Sequence, residues 1–128
     1  MRIASVGTAY PPNRYPQSVI TEAIKSRSTD RPSAHGAIDR LHANCGVDFR
    51  HIMYPLDTLG TISGFGAMND LWIQGALELG QKAIQSALDQ AGLEPKDISA
   101  IFFTSVTGIA CPSIDARLVK LMGFPSTT

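Results

Sequence analysis

The sequence predicts an α/β fold with an incomplete sheet, in an order near β-α-α-β-α-β-α. Three observations predict it. Residues 98–103 (I-S-A-I-F-F) are an almost unbroken apolar run of strand length, preceded by the turn residues Glu94, Pro95, Lys96 and Asp97. Such a run suits a central parallel strand covered on both faces. It passes into T-S-V-T-G at 104–108, small residues that let a backbone run close to another group, and then into a helix. Upstream, residues 69–91 place Ile73, Leu77, Ile84, Ala87, Leu88 and Ala91 at helical spacing, with Glu78, Gln81, Lys82, Gln85 and Asp89 on the other side. A strand that ends in a loop feeding a helix puts that loop at the strand ends, where ligands bind in open α/β sheets.

The remaining elements follow in order. Residues 3–6 read as a first strand, stopped by Gly7 and Pro11-Pro12. Residues 16–26 read as a helix with Val19, Ile20, Ala23 and Ile24 on one face, and 26–36 as a polar loop. A second helix spans about 37–45, carries Ile38, Leu41, His42 and Cys45 on one side, and ends at Gly46 as a left-handed cap. Residues 48–53 read as a second strand and 55–66 as irregular. The G-T-I-S-G-F-G stretch at 60–66 lacks the G-x-G-x-x-G spacing, so it is not a dinucleotide loop. Gly92 ends the long helix and Pro95 prevents its restart. Ser113 opens the last helix, with Ile114, Leu118, Leu121 and Met122 apolar, and Gly123 and Pro125 stop it. Three strands is thin for a fold whose sheets usually hold about five or six. The final residues G-F-P-S-T-T come where a next strand is expected, so the expectation is the front part of something larger.

Composition excludes several classes. The 128 residues are 44% apolar and 17% charged, an ordinary globular balance. Eleven basic and eleven acidic residues cancel, which argues against nucleic acid or an anionic membrane surface as partner. No apolar window approaches the ~20 residues of a membrane span, and the N-terminus is not a secretory signal. Two cysteines without a disulfide framework favour a reduced, cytoplasmic setting. No His or Cys spacing suits a metal, so no metal and no bound cofactor are expected.

Three segments carry a resemblance: I-A-S-V-G-T-A-Y-P-P at 3–12, C-G-V-D-F-R-H at 45–51 and V-T-G-I-A-C-P-S-I-D-A-R-L at 106–118. In order and spacing the chain resembles the N-terminal part of the thiolase-fold condensing enzymes, most closely the chalcone/stilbene synthase family, the type III polyketide synthases. The resemblance spans residues 1–128 as the N-terminal portion of such a domain, truncated before the nucleophile. It implies an acyltransferase that decarboxylates malonyl-CoA and condenses the carbanion onto an acyl group drawn from an acyl-CoA, in a homodimer. The Cys, His and Asn that carry this chemistry in the family fall outside these residues, so no catalytic residue is assigned. By position, Val106, Thr107 and Gly108 match the loop lining the acyl cavity. Cys111 matches a position that reaches across the dimer into the partner's cavity. Small side chains at Val106, Ala110 and Cys111 lean towards fatty acyl-CoA starters. Arg40 and Arg50 are the candidates for coenzyme A contact.

Plainer readings stand beside these. Cys111 precedes Pro112 near a helix start but has no neighbouring His in sequence, so cavity wall or packing outweighs nucleophile. Cys45 reads as a small buried hydrophobe, His42 as a core or interface residue, His35 as solvated, and Trp72 as core or interface. Arg50 and His51 suit an ion pair or surface role. Two other functions compete. One is a β-ketoacyl-acyl-carrier-protein synthase III, disfavoured because I-D-R-L-H-A-N-C-G-V at 38–47 lacks the Trp common there. The other is a non-catalytic dimerising or acyl-CoA-binding fragment.

Overall fold

The computed structural model describes residues 2–128. It divides into two compact units, residues 11–62 and residues 2–10 with 63–128.

In the 11–62 unit, strand β1 (Asn13–Pro16) pairs antiparallel with β2 (Phe49–Ile52), with Arg14 opposite His51 and Tyr15 opposite Arg50. The Asn13 amide extends the ladder by donating to the carbonyls of Ile52 and Met53 at 3.2 and 3.0 Å. The Arg14 guanidinium lies 3.6 Å from the centre of the Phe49 ring, a cation–π contact between the two strands. Helix α1 (Gln17–Arg27) starts directly from β1, and α2 (His35–Asn44) packs beside it. Their polar join is Thr21 to His42, backed by Lys25, whose ammonium reaches Glu22 at 3.0 Å and Asp39 at 3.1 Å. Gly46 takes φ +65° after α2, the left-handed turn expected there. A short helix α3 (Leu56–Thr61) closes the unit; Arg27 donates to the Leu56 carbonyl.

The other unit is built on α4 (Phe65–Ala91), 27 residues long, which Gly92 ends at φ +66°. Helix α5 (Ile114–Met122) lies against it and ends the same way at Gly123. Ile114 and Leu118 are the most completely buried side chains, each 1% exposed. Burying each stabilises the unit by about 1.5–3 kcal/mol. Gly80 makes room on α4: a Cβ there would stand 3.1 Å from Leu118 Cδ1. Residues 2–10 run over α4 with alternating burial. Ser5 Oγ donates to the Ala87 carbonyl at 2.7 Å, and Gly7 lies so close that a Cβ would meet Ala83 O at 2.0 Å.

The helices at 17–27, 35–44, 65–91 and 114–122 and the strand at 49–52 lie where the sequence places them. The expected strands at 3–6 and 98–103 do not form ladders; among the described residues the single sheet is β1–β2. Both segments rest on helices through side chains, and no neighbouring strand satisfies their backbone. Nor is 98–103 covered on both faces, because Phe102 is 94% exposed. Strand β1 and helix α3 are additions to the sequence reading. Ser113 stands at the N-cap of α5, but its hydroxyl donates to the Asp115 carboxylate instead of capping a backbone amide.

Candidate functional site: the 104–112 loop

The loop after residue 103 is held from beneath by the first turns of α4. Asn69 presents its whole carboxamide to the backbone of one residue: Nδ2 donates to the Ile109 carbonyl at 2.8 Å, and the Ile109 N–H donates to Oδ1 at 2.9 Å. Trp72, three residues further on and so on the same helix face, packs on Gly108. A Cβ at Gly108 would lie 2.3 Å from the indole and 2.8 Å from Asn69 Oδ1, so this position requires glycine for the close approach. The indole sits 6.4 Å from the Phe103 ring, centre to centre, at 55°. A recess of about 190 Å³ opens there, lined by Trp72, Phe103, Ser105, Gly108, Ala110 and Ile114.

The upper side of the loop is free. Val106 is completely exposed, Thr107 and Cys111 are exposed, and Ile109 is 70% exposed. The Thr107 N–H bonds to Ser105 Oγ at 3.1 Å, which tightens the turn. Beyond the loop, Arg117 Nε donates to the Pro112 carbonyl at 2.9 Å. The Ser113 hydroxyl and the Ala116 N–H hold the Asp115 carboxyl below its usual range. The four loop residues singled out from the sequence thus lie together on one anchored segment. Sequence reasoning misses the anchors: nothing in the sequence marks Asn69 for this role, and Trp72 reads only as core or interface.

Arg40 and Arg50 belong to the 11–62 unit, and both are exposed. Arg40 stands on α2 with its guanidinium 3.9 Å from the position a Gly36 Cβ would occupy. Arg50 on β2 is engaged, donating from Nε to Gln17 Oε1 at 2.6 Å, with Nη2 3.9 Å from Cys45 Sγ. The cleft of about 510 Å³ in this unit is lined by Gln17, Thr21, Glu22, Asp39, His42 and Asp48. Three carboxylates in its wall disfavour an anionic ligand. Cys45 is exposed rather than buried as expected, because it sits at the open C-terminal end of α2 with its thiol on the His42 carbonyl at 3.0 Å. His35 is half-buried rather than solvated, its Nε2 3.3 Å from the Ser28 carbonyl.

No family model matches the chain. Individual proteins do. A 1,3,6,8-tetrahydroxynaphthalene synthase of Streptomyces peucetius subsp. caesius is 40% identical over 121 residues, covering 94% of this chain and 32% of the relative. A phloroglucinol synthase of Pseudomonas fluorescens is 29% identical over 119 residues. The crystal structure of the tetrahydroxynaphthalene synthase of Streptomyces coelicolor A3(2), a bacterial type III polyketide synthase, superposes with a TM-score of 0.81 at 34% identity, over 97% of this chain and 36% of that one. The chain belongs with the N-terminal part of the type III polyketide synthases. It spans about a third of the length of the curated relatives it matches. The thiolase-like fold of these synthases also includes PKS-I of the brown alga Ectocarpus siliculosus, whose structure superposes with a TM-score of 0.82 at 21% identity, a likeness of fold alone. The partial sheet of this chain is accordingly part of a larger architecture in the type III polyketide synthases. No helix among the described residues is long and apolar enough to cross a membrane.

Proposed function

We propose that residues 1–128 are the N-terminal portion of a type III polyketide synthase-like acyltransferase of the cytoplasm, acting as a homodimer on acyl-CoA and malonyl-CoA. In the proposed reaction an acyl group passes from coenzyme A to an enzyme thiol. Malonyl-CoA loses carbon dioxide, and the resulting enolate attacks the acyl thioester carbonyl and expels the thiolate, giving a chain two carbons longer. The nucleophile and the groups that stabilise the enolate lie outside residues 1–128 in this reading. The part played by this segment is to shape the acyl cavity through Val106, Thr107, Gly108 and Cys111, with Arg40 and Arg50 towards coenzyme A.

The observation that carries the reading is the contrast on the 104–112 loop. Its backbone is pinned at Gly108 and Ile109, while Val106 and Ile109 hold apolar side chains out to solvent. Apolar groups on a fixed backbone suit a wall completed by another surface. In the same unit an apolar groove of about 390 Å³, with Ile3, Ala87, Ala91, Ile98, Ile101 and Phe124 in its lining, lies between two segments without ladder partners. That supports a domain whose sheet continues beyond these residues. Small side chains at Val106, Ala110 and Cys111 leave room for a long acyl chain, so fatty acyl starters are proposed.

The test is turnover of a series of acyl-CoA starters with malonyl-CoA by the complete gene product and by residues 1–128 alone. Condensation by the complete product, preference for long starters, and no turnover by the segment are expected. Cys111→Phe should shift the preference to shorter starters. Condensation with malonyl-carrier protein in place of malonyl-CoA would overturn the assignment.

A further inference from the structure

This inference rests on the reading above that residues 106–111 wall the acyl cavity. We propose that Asn69 is a positioning residue for that wall, and that with Trp72 it determines which starters the cavity admits. A single hydrogen bond leaves a stretch of backbone free to swivel; a carboxamide that meets both the N–H and the C=O of one residue holds the two peptide groups that flank its Cα, and so fixes orientation as well as place. Asn69 does this to Ile109 at 2.8 and 2.9 Å. The bonds replace those a neighbouring strand would supply, on a segment that has no ladder. Trp72 adds a steric stop one residue earlier, because the indole occupies the space of a Gly108 side chain. The indole is itself backed by the Phe103 ring. Val106, Thr107 and Cys111 project from either side of this two-point mount and are exposed. Their aim therefore follows from α4, which none of them belongs to.

Misplacing such a wall by about an ångström is enough to change productive binding up to ~100-fold. The experiment measures kcat and KM of the complete gene product for an acyl-CoA series of increasing length, for the wild type, Asn69→Ala, Asn69→Asp and Val106→Phe. Thermal melts accompany each protein. Asn69→Ala is expected to raise KM for the preferred starter about tenfold with kcat within about threefold, and to change the preferred chain length. Asn69→Asp, which keeps the acceptor for the Ile109 N–H but faces the Ile109 carbonyl with a second acceptor, should fall between. A lowered melting temperature with unchanged KM and unchanged starter order for both Asn69 variants would overturn the proposal, leaving Asn69 a structural residue. If Val106→Phe moves the starter preference and the Asn69 variants do not, this inference falls while the cavity reading stands. If none of them moves it, the cavity reading falls and this one with it. Should Asn69→Ala not fold, Asn69→Asp and Trp72→Phe decide between the same outcomes.

Discussion

His42 Nδ1 lies 2.7 Å from Thr21 Oγ1, and the hydroxyl of Thr21 is already donated to the Gln17 carbonyl at 2.8 Å. Thr21 has one proton to give, so the ring nitrogen is the donor and the threonine oxygen the acceptor. One buried hydroxyl thereby ties the first turn of α1 to the last turn of α2. Thr21→Val keeps the shape and removes both bonds, leaving the His42 N–H without its partner. The expected loss is about 1–3 kcal/mol, read from urea unfolding, and Thr21→Ser should recover most of it. Equal midpoints for the valine and wild-type proteins would show that this bond contributes nothing net.

Gly7 and Gly80 both touch helix partners, yet their alanine variants should behave differently. At Gly7 the added Cβ would lie 2.0 Å from Ala83 O and 2.6 Å from Ala87 N, and backbone atoms inside a helix cannot move aside. Gly7→Ala should cost about 3 kcal/mol or prevent folding. At Gly80 the obstacle is the Leu118 side chain, with Cδ1 at 3.1 Å, and a leucine can shift by a few tenths of an ångström. The gain in helix propensity, about 1 kcal/mol, offsets that strain, so Gly80→Ala should lie near neutral. Chemical denaturation of the two variants side by side checks the contrast.

What was legible in the sequence depended on how local the cause was. Helices α1, α4 and α5 could be read because their apolar period lies within one segment, and for α4 and α5 so does the closing glycine: Gly92 and Gly123 take the left-handed conformations that their positions imply. Strand β1 (N-R-Y-P) shows no alternation and ends in proline, and its pairing depends on Phe49–Ile52, outside any local window. The run at 98–103 announces a strand but not who covers it, and Phe102 stays bare. Leu56 and Leu59 carry the only helical signal of α3, too short a stretch to outweigh its flanking Pro and Gly residues. The 104–112 loop was visible through motif resemblance. Its anchor was not: a polar residue at the start of a helix says nothing about a partner 40 residues away.

Acid should find Asp115. The Ser113 hydroxyl and the Ala116 N–H both donate to its carboxylate, lowering its pKa from the ordinary 3.8, and it sits in the first turn of α5, where a negative charge is favourable. A carboxyl whose folded pKa is depressed contributes its stability in full above the unfolded pKa and loses it as pH falls through the folded one. The contribution should be present at neutral pH and begin to fade just below about pH 5. Asp115→Asn should melt at a lower temperature than wild type at pH 7, and the gap should narrow steadily on acidification. A gap independent of pH would assign the effect to packing rather than charge. The side chain is largely solvated, so the expected change is a small shift in melting temperature.

The exposed apolar groups of the unit containing α4 and α5 lead to a last prediction. Ile3 is 77%, Phe102 94%, Val106 completely and Ile109 70% exposed. Residues 2–9 and 99–104 also carry backbone groups outside any ladder among the described residues. Extended backbone outside a ladder next to apolar side chains is a template for association. Residues 1–128, expressed alone, should therefore self-associate with rising concentration in sedimentation velocity. Phe102→Lys should weaken that association without lowering the unfolding midpoint, because it buries no new charge and removes no packed side chain. If instead the segment stays monomeric at high concentration and unfolds cooperatively, these surfaces need no cover, and the case for a domain that continues beyond them weakens accordingly.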